Sequence, residues 1–232
     1  VESYLDEIQK LAVAFSRLIA QALDMPPNSF DKFFANPQHN KLKLVKYPAP
    51  PPELETLEGG VQGVGAHKDG SFLTFLLQAT SHTGLEIQNK KGNWIKATPI
   101  PGTLVINIGR SLQALTGGVC TATTHRVNLS PENFLSPDGT PLGPRYSFPV
   151  FQGIKTDGKD NSLQIPQHIK DLVKDEKVRS EAEATFDKIF GESVREAIFI
   201  SRITSHQDVG ARWYPELLAK ALEEQGKFKA GA

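Results

Sequence analysis

The sequence predicts a mainly β protein with flanking helices, an antiparallel sandwich or jelly roll. Three observations carry that expectation. Between residues 41 and 151 the chain breaks into short apolar runs of strand length, separated by Pro and Gly clusters such as PAPPPE, KKGN and PIPG; close, regular spacing of short strands marks sandwiches and barrels. Ahead of these runs lies one apolar stripe at helical spacing, and after Gly153 the helical spacing returns. A chain of 232 residues can bury one substantial core. A single domain is therefore expected over 1–232, with a helical flank at 1–40, a β core at 41–153 and a helical region at 154–232.

The elements follow in order. Leu5, Ile8, Leu11, Ala12, Phe15, Leu18, Ile19 and Leu23 recur at steps of three and four, so the chain opens on an amphipathic helix. Pro26 and Pro27 stop it, and Asn28 or Ser29 is placed to cap a short helix ending near Phe34. Strands are expected at Lys41–Tyr47, Gly63–His67, Phe72–Leu77, Leu85–Gln88, Trp94–Ala97, Thr103–Ile108, His125–Leu129 and Arg145–Phe151. Lys91–Gly92 marks a hairpin turn, and the Pro- and Gly-rich stretch from Pro131 to Pro144 reads as a loop. Helices are expected at Pro166–Val173, Ser180–Phe190, Glu192–Ser201 and Pro215–Gln225. Trp94 and Trp213 read as packing anchors.

Composition narrows the function classes. Lys plus Arg and Asp plus Glu number 26 each, so no net field favours nucleic acid or an anionic membrane. No apolar stretch approaches the roughly 18 residues a membrane helix needs, and the opening residues carry no signal-peptide pattern. One cysteine, Cys120, excludes an internal disulfide and a Cys-rich zinc site. That usage fits a reducing compartment, and a cytoplasmic location is expected. The expected partner is a small molecule, with neither nucleic acid nor membrane.

The chemistry concentrates in GVGAHKDGSFLTFLLQ, from Gly63 to Gln78. His67 and Asp69 are two residues apart ahead of a strand, and in an extended chain such residues project to one side while Lys68 faces away as a solvated charge. A second imidazole, His125, opens a later strand. Two histidines and one carboxylate form the facial ligand set of non-heme Fe(II) oxygenases, with positions left open for oxygen and substrate. Arg145 and Ser147 form another i, i+2 pair; a guanidinium fork beside a hydroxyl suits a carboxylate. Taken singly, His67 reads as a hydrogen-bonded strand histidine beside a turn aspartate, His125 more often as a partly buried histidine than a ligand, and Arg145 more often as a surface ion-pair partner. The combination favours the metal. Zinc also accepts this ligand set, but no general base for hydrolysis accompanies it. Phe151 is in phase with Arg145 and Ser147, faces the interior and is a candidate substrate contact.

These residues resemble the 2-oxoglutarate- and Fe(II)-dependent oxygenases, in the isopenicillin N synthase-like branch. The resemblance runs from about Lys43 to Gly153 through Tyr47–Pro48, GVGAHKD, LTFLLQ, GNW, PIPGTLVINIG, THRV and R-x-S, and RWYPEL near Trp213 is similar to fungal members. It implies a double-stranded β-helix, with His67, Asp69 and His125 as iron ligands. Arg145 and Ser147 would hold the distal carboxylate of 2-oxoglutarate, and Tyr47 would contact the same group. The implied activity couples O2 and the oxidative decarboxylation of 2-oxoglutarate to succinate with hydroxylation, desaturation or cyclisation of a small organic molecule. Val45 stands where many members carry asparagine, which keeps open an Fe(II) oxidase of this fold that does not use 2-oxoglutarate; a non-catalytic metal- or ligand-binding jelly roll is a further alternative. Members carry a segment ahead of the opening helix, so the chain reads as roughly the C-terminal two-thirds of a longer protein.

Overall fold

The computed structural model describes residues 1–34, 40–51, 62–155, 162–190, 199–200, 202–204 and 206–229. They fall into two compact units, Val1–Glu183 and Ala184–Ala232, each described by itself.

Helix α1 (Glu2–Ala22) opens the first unit. Its buried line is Ile8, Ala12, Ser16 and Ala20, a spacing of four that keeps one narrow face inward. Small residues at three of these positions let the helix lie close to the sheet. Leu11 and Leu18, read as part of the apolar stripe, sit at its margins, 38% and 60% exposed. Ser16, which the pattern omits, is buried; its hydroxyl donates to the Ala12 carbonyl at 2.7 Å and accepts from Gln152 Nε2 at 3.2 Å. Those bonds offset the desolvation of a polar group in a core.

The strands are β1 (Lys41–Leu42), β2 (Val45–Tyr47), β3 (Gln62–His67), β4 (Leu73–Gln78), β5 (Leu85–Gln88), β6 (Trp94–Lys96), β7 (Val105–Ile108), β8 (His125–Asn128) and β9 (Arg145–Phe151). They form two antiparallel sheets. The larger runs β1-β9-β4-β7 with β2 also on β9, and the smaller runs β3-β8-β5-β6. Tyr47 from the larger sheet packs with Val127 of the smaller, with Leu129 and with Phe134, so the inner faces meet across a common core. The outer face of the larger sheet lies under α1, where Phe15 meets Phe75 edge-on at 6.4 Å. Phe30 and Phe34 each meet Phe72 at 5.1 Å just beyond the helix. Mainly antiparallel sheets flanked by helices is the expected fold class.

The single strand expected over Lys41–Tyr47 is divided into β1 and β2, both on β9. The Lys91–Gly92 turn is present: Gly92 adopts φ +83°, and Asn89 Oδ1 accepts from the Lys91 and Asn93 amides. The expected helices cover neither Gln207–Trp213 nor α2 (Arg110–Leu115), in which Ser111 to Leu115 are all buried. A helix buried all round shows no amphipathic period to read. Helices α3 (Gln167–Lys170) and α4 (Glu176–Phe190) follow β9. In the second unit, helices Gln207–Trp213 and Pro215–Lys229 are described, and Trp213, expected as an anchor, is 63% exposed. The expected helix Glu192–Ser201 lies largely outside the described residues. Among the described residues no helix is long and apolar enough to cross a membrane.

Candidate metal centre

His67 ends β3 and His125 begins β8, and the two stand directly opposite in the antiparallel ladder. Val64 pairs with Val127, so three residues of β3 span what two residues of β8 span. That extra residue is a bulge, and it turns His67 onto the same inner face as Val64, which plain alternation would forbid. Asp69 lies past the strand end, in the turn before β4. Its Oδ1 stands 3.6 Å from His67 Nε2 and 3.7 Å from His125 Nε2, and one donor atom from each of the three residues lies within 4.8 Å of the others. These atoms are close enough for one ion to touch all three, from one side.

Neighbouring groups fix how each side chain presents itself. His67 Nδ1 meets the Gly65 carbonyl at 2.8 Å and His125 Nδ1 meets the Thr123 carbonyl at 3.1 Å. A carbonyl can only accept, so both Nδ1 atoms carry the proton and both Nε2 lone pairs are free for a metal. Asp69 Oδ2 accepts from the Thr74 hydroxyl at 2.7 Å, and Ser71 Oγ lies 3.0 Å from the same Thr74 oxygen. Thr74 has one proton and gives it to the carboxylate, so Ser71 donates to Thr74. Oδ1 is left as the single oxygen facing the histidines.

The turn itself is held by α2. The amide of Arg110 donates to the Asp69 carbonyl at 2.7 Å, and that of Ser111 to the Ser71 carbonyl at 3.2 Å. The Ser111 hydroxyl donates to the Gly70 carbonyl at 2.7 Å. Gly109 makes the approach possible, because a Cβ there would stand 1.8 Å from the Ser71 carbonyl oxygen. Further along α2, Gln113 Oε1 accepts from the Ala122 amide at 2.7 Å and steadies the loop that leads into His125. Lys68, expected as a solvated charge, instead pairs with Glu181 of α4 at 2.7 Å.

Electrostatics favour a bound cation. Burial pushes the Asp69 carboxyl up, but the neighbouring His67, the Thr74 hydroxyl and His125 outweigh it and hold the group below the usual carboxylate range. The adjacent Asp69 raises the His67 imidazole, whereas burial lowers that of His125. Opposing imidazoles around an ionised carboxylate are what a divalent ion would replace.

The second predicted cluster lies on β9. Tyr47 pairs with Arg145 and Val45 with Ser147 across β2, which puts all four on the inner face. Arg145 is 2% exposed and Ser147 3%, and the Arg145 guanidinium lies 5.0 Å from the Tyr47 ring centroid. Burial lowers the Arg145 pKa against the opposing effect of Tyr47. Its Nη1 has no hydrogen-bond partner. A buried, unpaired guanidinium edge is costly unless an anion completes it. Two glycines that sequence reading passed over give this cluster its room. A Cβ on Gly63 would stand 2.7 Å from the Tyr47 ring, and one on Gly84 would stand 2.7 Å from the Asn128 carbonyl and 3.6 Å from Arg145 Cδ.

Phe151 is half-buried and stands opposite Thr74, which in turn stands opposite Asn107. On the smaller sheet the row through His67 and His125 continues into Ile87 and Ile95. Register thus places Phe151 beside Thr74, the partner of Asp69, on one sheet and Ile87 beside His125 on the other. No sequence pattern singles out Ile87, because only strand register makes it a neighbour of His125.

Two facing antiparallel sheets with a two-histidine, one-carboxylate set and a buried arginine at their inner face define the non-heme Fe(II) oxygenase class. Comparison with known proteins agrees. Residues 39–153 match the 2OG-Fe(II) oxygenase superfamily, to which this chain belongs. A 2-oxoglutarate-dependent dioxygenase of Gibberella zeae is 44% identical over 99% of this chain and 60% of its own length. A second, frbJ of Dothideomycetidae sp., is 42% identical over 94% of this chain and 58% of its own. Among solved structures, a full-length Neurospora crassa protein in complex with alpha-KG and 5-formyluracil superposes with a TM-score of 0.61. It is 28% identical, over 76% of this chain and 53% of that one. The chain therefore spans about 60% of the length of the curated relatives it matches.

Proposed function

We propose that the protein is a 2-oxoglutarate- and Fe(II)-dependent dioxygenase acting on a small organic molecule. One observation carries the reading beyond metal binding: the buried Arg145 guanidinium with an unpaired Nη1, beside Ser147, on the inner face of the larger sheet, across the core from His67 and His125 of the smaller. A dicarboxylate fits that cradle. Its distal carboxylate would take the guanidinium edge and the Ser147 hydroxyl, with Tyr47 alongside, and its other end would point along β9 towards the ion. The two named fungal relatives, both 2-oxoglutarate-dependent dioxygenases, support the same cosubstrate.

In this reading His67, Asp69 and His125 would hold iron, with Nε2, Oδ1 and Nε2 as the available donor atoms. Bound together, iron, 2-oxoglutarate and O2 supply the oxidising chemistry, giving succinate, carbon dioxide and an oxidised substrate. The protein's own residues do the rest. The Gly65 and Thr123 carbonyls keep both imidazoles in the ligating tautomer. Thr74 holds Asp69 to one ligating oxygen, which leaves more positions open for cosubstrate and oxygen. Phe151 and Ile87, both half-buried, limit water beside the ion and offer apolar surface to a substrate. The Neurospora crassa protein is solved with 5-formyluracil bound; for the present chain we extend this only to a small organic molecule.

The test is aerobic turnover of 2-oxoglutarate by the Fe(II)-loaded protein, followed as succinate released. Succinate that depends on added iron and is lost in both His67→Ala and Arg145→Ala supports the reading. Iron bound with no succinate, and no weakening of 2-oxoglutarate binding in Arg145→Ala, refutes it.

A further inference from the structure

Besides Arg145, the inner face of the larger sheet carries a lysine that the cosubstrate does not need. The Lys43 amide donates to the Pro149 carbonyl at 3.0 Å, between the pairs Leu42–Val150 and Val45–Ser147, so Lys43 continues the ladder on β9. It lies two residues from both Lys41, opposite Phe151, and Val45, opposite Ser147, and so shares their face. Its Nζ stands 5.6 Å from the centroid of the Phe151 ring. Phe151 stands opposite Thr74, whose hydroxyl donates to Asp69 at 2.7 Å, so the ring links the ammonium to the candidate metal residues. Lys43 is exposed and forms no ion pair among the described residues.

We propose that Lys43 and Phe151 form the recognition point for a carboxylate-bearing substrate: the ammonium takes the carboxylate and the ring takes the adjoining apolar carbons. This rests on the dioxygenase reading above and names the chemical class of its substrate. Distance argues against a role in holding 2-oxoglutarate. Arg145 and Pro149, the residue Lys43 stands beside, are four positions apart on one strand, about 13 Å along an extended chain. A five-carbon diacid anchored on Arg145 is used up in reaching the ion. An ammonium beyond it, left without a carboxylate partner and resting on an aromatic face, is available to a second ligand. Ile87, continuing the row of His125, gives the body of such a ligand an apolar ledge across the ion. A neutral substrate would gain less from Lys43 than a carboxylate does, and a cationic one would be repelled.

The experiment uses protein loaded with Mn(II), a divalent stand-in for iron at a two-histidine, one-carboxylate set, and saturated with 2-oxoglutarate. Paramagnetic broadening of ligand proton signals reports binding near the ion. The probes are matched pairs that differ only in charge: phenylacetate with phenylacetamide, and cinnamate with cinnamamide. The expected result is that each acid binds at least about tenfold more tightly than its amide, as a charge-assisted hydrogen bond provides. That preference should vanish in Lys43→Gln and persist in Lys43→Arg, with Mn(II) and 2-oxoglutarate affinities changed by no more than about twofold. Equal binding of acid and amide by the unsubstituted protein, or a preference that survives Lys43→Gln, overturns the proposal. So does a tenfold loss of 2-oxoglutarate affinity in Lys43→Gln, which would assign Lys43 to the cosubstrate. Failure of the unsubstituted protein to bind Mn(II) or 2-oxoglutarate overturns instead the reading on which the proposal rests.

Discussion

Replacing Thr74 with valine isolates the contribution of one hydrogen bond to the metal centre. The two side chains have nearly the same shape, and Thr74 is 2% exposed, so the change removes a buried hydroxyl and little else. What is lost is the 2.7 Å bond to Asp69 Oδ2 and, behind it, the acceptor of Ser71. A hydrogen bond to a charged group is worth about 1.5–3 kcal/mol, which corresponds to roughly 10- to 100-fold in an equilibrium constant. Outer partners of metal ligands show losses of that size. Without Thr74 the carboxylate is also free to turn and offer both oxygens, closing a position that an open site needs. Anaerobic titration with Co(II), read from its visible absorption, measures affinity and coordination together. The expected outcome for Thr74→Val is a site weaker by about 10- to 100-fold with an altered spectrum, and near-complete recovery in Thr74→Ser. Valine binding like threonine, or serine failing as badly as valine, would refute the reasoning.

Three further outcomes follow from the same geometry. Arg145→Lys keeps a charge but loses the planar fork, so 2-oxoglutarate affinity should fall about tenfold or more while Mn(II) affinity is unchanged, as paired calorimetric titrations would show. Metal binding should weaken in acid: Asp69 stays ionised and His125 neutral, whereas His67, raised by Asp69, carries the proton that competes with the ion. Affinity is therefore full above the His67 pKa and falls on acidification through it, by about tenfold per pH unit for one displaced proton; a flat or inverted profile contradicts this. Gly109 has an ordinary φ of −95°, so Gly109→Ala fails for space alone, through the 1.8 Å approach to Ser71. Thermal unfolding should show a loss of about 3 kcal/mol or more, with weaker metal binding in whatever remains folded; an unchanged melting temperature contradicts it.

Much of this arrangement is legible in the chain and some of it is not, for reasons that can be named. The strands are legible because short apolar runs and Pro–Gly breaks record a half-buried sheet directly. His67, Asp69, His125, Arg145 and Ser147 are legible as a set, since each sits on or beside such a run. The bulge that turns His67 inward is invisible, because one extra residue in β3 means something only against its partner β8. Helix α2 leaves no periodic trace because it is buried all round, yet it holds the Asp69 turn. Gly63, Gly84 and Gly109 look like ordinary loop and strand glycines until Tyr47, Arg145 and Ser71 are seen beside them. Lys68 reads as solvated because its partner Glu181 lies 113 residues away. On α1, small residues at Ala12, Ser16 and Ala20 draw the helix in and leave Leu18 outside, which a count of apolar positions misplaces.

The central claim is that one ion on His67, Asp69 and His125 and one diacid on Arg145 meet at a single site. Anaerobic titration of the Fe(II)-loaded protein with 2-oxoglutarate tests it most directly, by the weak visible charge-transfer band that appears when an α-keto acid chelates Fe(II). The band should grow to saturation, be absent in His67→Ala, and require much more 2-oxoglutarate in Arg145→Ala. Iron bound at this site with no band, or a band indifferent to both substitutions, would contradict the account.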